Sequence, residues 1–126
     1  MSKTIVLIDN PENISELKKF SELKIIELFS LNHETHNKLK LEKLEHKIGD
    51  NFLSIKDRTF IDDFTINLTG NWYKHPLIKN HLIFENIELG LLVEQEFFQY
   101  FLSIIAEAII IMKIIEIKKP STIHTF

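Results

Sequence analysis

The side chains with chemistry to offer are few and scattered. Asp9 closes the apolar run Thr4-Ile5-Val6-Leu7-Ile8, and Asn10 follows it. Ligands meet open α/β sheets at such strand ends. There Asp9 could accept a hydrogen bond from a ligand hydroxyl or hold a cation; the plainer reading is a turn-forming aspartate that caps local amides. Trp72 and Tyr73 offer two adjacent rings, able to stack on a sugar face or to pack inside the fold. His124 alternates with Ile123 near the end of the chain, as a base in a longer protein or as a structural strand histidine. His33 and His36 form a His-x-x-His pair in a polar stretch. Two imidazoles suit zinc, but a structural site wants four ligands. His46 and Glu45 are the nearby additions, so solvent-exposed loop residues are the expected reading and no metal site is assigned. Glu107 stands in an apolar stretch, either as a buried paired acid or as part of a solvated groove. Lys113, six residues on, falls on the opposite side of a helix and is a poor partner for it.

Other chemistries are excluded by composition and spacing. There is no cysteine, hence no disulfide, thiolate metal site or cysteine nucleophile. The turn after the first apolar run is Asp9-Asn10-Pro11-Glu12-Asn13, with no glycine and two acids. A pyrophosphate there would meet repulsion and would miss the amide at Pro11. No P-loop and no nucleophile–base pair is recognisable, so no cofactor and no catalytic residue is expected. The net charge of -3 argues against a nucleic-acid binder, and the basic window Lys38–Leu44 is diluted by Glu42 and Glu45.

The elements that must position these residues follow from length and pattern. A chain of 126 residues is one domain by length, large enough for a real core. Three β-type runs, near residues 4–9, 24–31 and 121–126, are joined by helical patterns. Continuous aliphatic strands suit a parallel sheet covered on both faces. Ile14, Leu17, Phe20 and Leu23 give one helical stripe, so the opening is a βαβ unit with a helix capped at Asn13 or Ser15. Asn32–Asn37 reads as a loop, Leu39–Ile48 as a short helix ending at Gly49, and Ser54–Leu68 as another, closed by Thr69-Gly70-Asn71. The expected fold is α/β: a short Rossmann-like sheet of three parallel strands, a helical insertion and one long buried C-terminal helix.

That long helix runs from about Ile87 to Lys118, where Lys118-Lys119 suit its C-terminus and Pro120 stops it. Gln95, Gln99, Ser103 and Glu107 mark a polar stripe that then gives way to isoleucine at 110, 111 and 114. A central charge in the Phe97–Ile117 stretch speaks for a buried helix over a membrane span. Its apolar second half needs more cover than one small sheet provides, so homo-oligomer formation through this helix is expected, with Ser54–Leu68 contributing. The first apolar run is too short for a signal-peptide core, which points to a cytoplasmic protein.

The order of features also resembles a known family. An Ile5-Val6-Leu7-Ile8-Asp9-Asn10 opening precedes a βαβ unit. A helical insertion with Asn71-Trp72-Tyr73-Lys74 follows, then Glu88-Leu89-Gly90 leads into a long helix ending Ile114-Ile115-Glu116-Ile117-Lys118-Lys119-Pro120. This resembles the N-terminal half of GT-B-type glycosyltransferase-like proteins of microbial surface polysaccharide synthesis. The resemblance implies an acceptor-side domain, inactive without a C-terminal, donor-binding domain. Asp9, Asn10, Trp72, Tyr73 and His124 are then the candidate contacts to a carbohydrate acceptor. The competing expectation is a non-enzymatic, homo-oligomeric interaction module with the same fold.

Overall fold

Thr4–Ile8 forms the first strand, β1, of a four-stranded parallel sheet in a computed structural model that describes residues 3–21 and 26–126. The other elements, in order, are α1 (Ile14–Ser21), β2 (Glu27–Ser30), α2 (His33–Leu41), β3 (Lys47–Ile48), α3 (Ile55–Asn71), α4 (Pro76–Lys79), β4 (Ile83–Phe84), β5 (Ile87–Glu88), α5 (Leu89–Lys118) and β6 (Thr122–Thr125). The expected end of the first helix near Leu23, and Lys24 and Ile25 at the start of the expected second strand, lie outside the described residues. The chain divides into two compact units, one of residues 1–54 and 107–126, the other of residues 55–106.

The first unit holds the sheet, in the order β3-β2-β1-β6. All three pairings are parallel: Ile5 opposes Glu27, Val6 opposes His124 and Phe29 opposes Lys47. Alternation along β1 sends Ile5 and Leu7 to one face, where Phe29, Leu31, Ile110 and Ile114 complete a buried cluster. Val6 and Ile8 point to the other face, against Ile14, Leu17, Leu28 and Leu39 of α1, β2 and α2. Both faces are thus covered by helices, which is why β1 is an unbroken apolar run.

Three local expectations are corrected. A fourth strand, β3, forms where a helix end was read, because Phe29 and Ser30 offer a free edge beside it. The polar stretch 33–37 is helical, not a loop: the Asn32 side chain caps α2 by accepting the Thr35 N–H at 2.9 Å. Helix α3 runs on through Gly70 to Asn71. Among the described residues, α5 buries only Gly90, Ile110 and Ile114, while Met112, Ile115 and Ile117 stay exposed.

The second unit joins α3, α4, a hairpin and the first part of α5. In α3, Ile61, Thr65 and Thr69 are buried, and Tyr73 continues the same step of four. Thr65 and Thr69 donate their hydroxyls to the carbonyls four residues back, at 2.6 and 2.8 Å. That satisfies two buried polar groups within their own helix. The hairpin pairs Ile83 with Glu88 and Phe84 with Ile87. Its two-residue turn has Glu85 and Asn86 at positive φ, 48° and 66°, as a type I′ turn demands. No helix among the described residues is long and apolar enough to cross a membrane.

Candidate functional site

The strand order reverses between β1 and β6, and a parallel sheet opens its ligand crevice at the carboxyl ends of strands beside such a reversal. Asp9 and Asn10 leave β1 at that end. Asn10 accepts the Glu12 N–H at 2.9 Å and caps a 3-10 turn, Pro11–Asn13. The Asp9 and Asn10 amides both donate to the Phe126 carbonyl, at 3.0 and 3.4 Å. The turn is thus fixed by its own backbone, and the Asp9 carboxylate is left exposed.

Three further side chains converge here. Asn32 Nδ2 donates to the Asp9 carbonyl at 2.8 Å and to Glu107 Oε1 at 3.3 Å. Thr35 Oγ1 lies 2.7 Å from Asn32 Oδ1 and 3.2 Å from the Asp9 carbonyl, two acceptors for one hydroxyl proton. Burial pushes the Glu107 carboxyl above the usual range, Asn32 works against that, and the Asp9 charge adds to it. An exposed carboxylate, an amide and a carboxyl that holds its proton longer than usual make a hydrogen-bonding cluster suited to hydroxyl groups. A groove of about 580 Å³ runs between α1 and α2, lined by Pro11, Glu12, Ser15, Lys18, Glu34, Lys38 and Glu42 among others. Lys18 and Lys38 both pair with Glu42.

The other candidates lie elsewhere. His124 sits on β6, its ring edge-on to Phe20 at 4.7 Å. His33 is exposed on α2, whereas His36 is half-buried and meets His46 at 2.8 Å. No group of three or more His, Asp or Glu able to hold a metal occurs among the described residues. Tyr73 and Trp72 belong to the second unit. Tyr73 is buried, its hydroxyl donates to Glu94 Oε2 at 2.9 Å, and its ring fills the space beside Gly90. That is packing against the long helix, and it leaves no ring face for a sugar. Trp72 packs against Phe97 at 5.3 Å, and its buried Nε1 has no hydrogen-bond partner among the described residues.

Sequence reasoning weighed Asp9, Asn10 and Glu107 but missed Asn32 and Thr35. The signal was present: an Asn three residues before a Thr, ahead of Leu39, is N-cap chemistry.

Parallel strands in this order, with helices on both faces, define a Rossmann-like α/β unit. No family model, curated protein or solved structure matches this chain.

Proposed function

We propose that the chain is the acceptor-side, Rossmann-like part of a GT-B-type glycosyltransferase-like protein, inactive by itself. In this reading it holds a carbohydrate acceptor in the groove beside Asp9 and Asn10, in a cytoplasmic setting. One observation carries it: a charged groove of about 580 Å³ lies between α1 and α2, its lining beginning at Pro11, directly after the Asp9–Asn10 turn at the carboxyl end of β1. That volume falls within the range of small-molecule sites. Its Glu12 and Glu34 carboxylates accept hydrogen bonds from sugar hydroxyls, and Lys18 and Lys38 donate them. Titration of the 15N-labelled chain with a panel of neutral oligosaccharides tests this. The expected result is shifted amides at Asp9, Asn10, Glu12 and Glu34, weakened in Glu12→Gln and Glu34→Gln. Unmoved amides across the panel, or turnover of sugar-nucleotide donors by this chain alone, would refute it.

A second reading, a non-enzymatic module that associates with itself, is favoured by a different observation. Met112, Ile115 and Ile117 remain exposed on α5. Light scattering at micromolar concentration reads it directly: a species of one chain, 14.9 kDa at every concentration, ends that reading.

A further inference from the structure

Helix α3 and the 3-10 turn Trp72–Lys74 that follows it carry two adjacent stripes that step by four residues. Ile61, Thr65, Thr69 and Tyr73 are buried. The neighbouring stripe, Phe60, Phe64, Leu68 and Trp72, is equally apolar but mostly uncovered: Phe60 is 53% exposed, Phe64 48% and Leu68 39%. The Phe60 and Phe64 rings stack at 5.7 Å and stand out as knobs. At the other end of the stripe, Leu68 and Trp72 join Phe97 and Tyr100 of α5 around an apolar hollow of about 280 Å³. A cavity of roughly 150 Å³ already accepts a benzene ring. One surface therefore presents both the aromatic knobs and a hollow large enough to take one.

We propose that this face of the second unit is a twofold interface with a second copy of the same chain, α3 packing on α3. The inference rests on the self-association reading above and moves its contact from the second half of α5 to the α3 ridge. Three features favour a second copy. A ridge of residues four apart packs best into the same kind of ridge on another helix, the commonest class of helix packing. A second α3 supplies that ridge by identity. Knob and hollow on one surface satisfy the rule of a twofold contact, in which residue i meets j and j meets i. The area also suffices. With about 200 Å² for a large side chain, the exposed parts of Phe60, Phe64, Leu68, Phe97 (37%) and Tyr100 (64%) amount to roughly 500 Å² per chain. Two copies bury about 1,000 Å², the level expected of a biological interface. An anionic lipid surface is a poorer occupant, because the chain carries a net charge of -3.

The absence of cysteine from the sequence makes the test direct. Single cysteines placed at Phe64, at Asp62 on the exposed side of α3 away from Phe60 and Phe64, and at Met112 are oxidised in the intact chain, with mass measured by light scattering. The expected result is a wild-type dimer of twice 14.9 kDa, rapid disulfide linkage of Phe64→Cys, and slow or no linkage at the other two sites. The double variant Phe60→Ser, Phe64→Ser should be a monomer with an unchanged circular dichroism spectrum, while Leu77→Ser, at an exposed site off the stripe, stays dimeric. A dimer that links only through Met112→Cys would overturn the placement on α3 and leave self-association standing. A wild-type chain that stays monomeric would overturn both, whatever else binds the face.

Discussion

His36 donates from Nδ1 to Nε2 of His46 at 2.8 Å, because His46 gives its own Nδ1–H to the Leu44 carbonyl at 2.8 Å. This assignment follows from the carbonyl, which can only accept, and it leaves His46 Nε2 as the acceptor for the His36 Nδ1–H. The pair ties α2 to the strand-bound segment that follows it. Burial lowers the His36 pKa below the ordinary histidine value, and the charges of His46, Lys40 and His33 lower it further.

The sign for stability follows. Below the ordinary histidine value the unfolded chain takes up a proton that folded His36 refuses. The contribution is therefore complete above about pH 6.5 and declines as pH falls through and below it. Urea midpoints between pH 5 and 8 should fall on the acid side in the native chain and flatten there in His36→Gln. An unchanged acid limb in that variant would dismiss the pair as its origin.

Glu107 has the opposite slope. Its carboxyl is raised, so the folded state holds the proton longer than the unfolded chain does. Stability falls as pH rises from the usual glutamate range through the raised value. Glu107→Gln keeps the oxygen that faces Asn32 and removes the charge. It should melt higher than the native chain at pH 7.5 and level with it near pH 4.

Glu27 is clasped by two lysines, Lys47 at 2.7 Å and Lys118 at 2.6 Å, which join β2, β3 and the end of α5. Partial burial raises its pKa, but the hydrogen bonds from Lys118 and Lys47 outweigh that and leave it lowered. Its stabilisation is present above the usual glutamate range and lost as pH falls through the lowered value. Glu27→Gln should cost about 1 kcal/mol at pH 7 in 50 mM salt, and less in 1 M salt. Equal cost at both salt concentrations would show that charge is not the cause.

Two glycines are fixed by what stands beside them. A Cβ at Gly90 would lie 2.4 Å from the Tyr73 ring, and one at Gly49 would lie 2.6 Å from the Ser30 carbonyl oxygen. Alanine improves helix propensity by about 1 kcal/mol at a position such as Gly90. The clash should exceed that, leaving Gly90→Ala and Gly49→Ala destabilised by roughly 1–3 kcal/mol in chemical denaturation.

The parts foreseen from sequence are those where one signal dominates. Strand β1 is aliphatic from Ile5 to Ile8 because both faces are buried, and α5 ends at Lys118 just ahead of Pro120. Lys119 takes the left-handed conformation after it, with φ of 45°. The missed parts depend on partners distant in sequence. Lys47–Ile48 carries no strand pattern in two residues; only the edge of β2 makes it a strand. Helix α2 buries just Thr35 and Leu39, so its periodicity is faint and its cap is the better sign. At the candidate site, Asp9 and Glu107 are far apart in sequence and meet through Asn32, which no local spacing reveals.

The pairing of β1 with both β2 and β6 sets an order of assembly. Asn32 reaches Asp9 across 23 residues, whereas Ser121 reaches Lys3 across 118. Closing the longer loop costs roughly 1.5 kcal/mol more in chain entropy. Chain entropy therefore favours β1, α1 and β2 assembling before β6 docks. Until it does, the far edge of β1 offers unpaired amides to any passing strand, the point at which refolding competes with aggregation. Pulsed hydrogen exchange during refolding should protect the Leu31 amide, bound to Ile8, before the Phe126 amide, bound to Leu7.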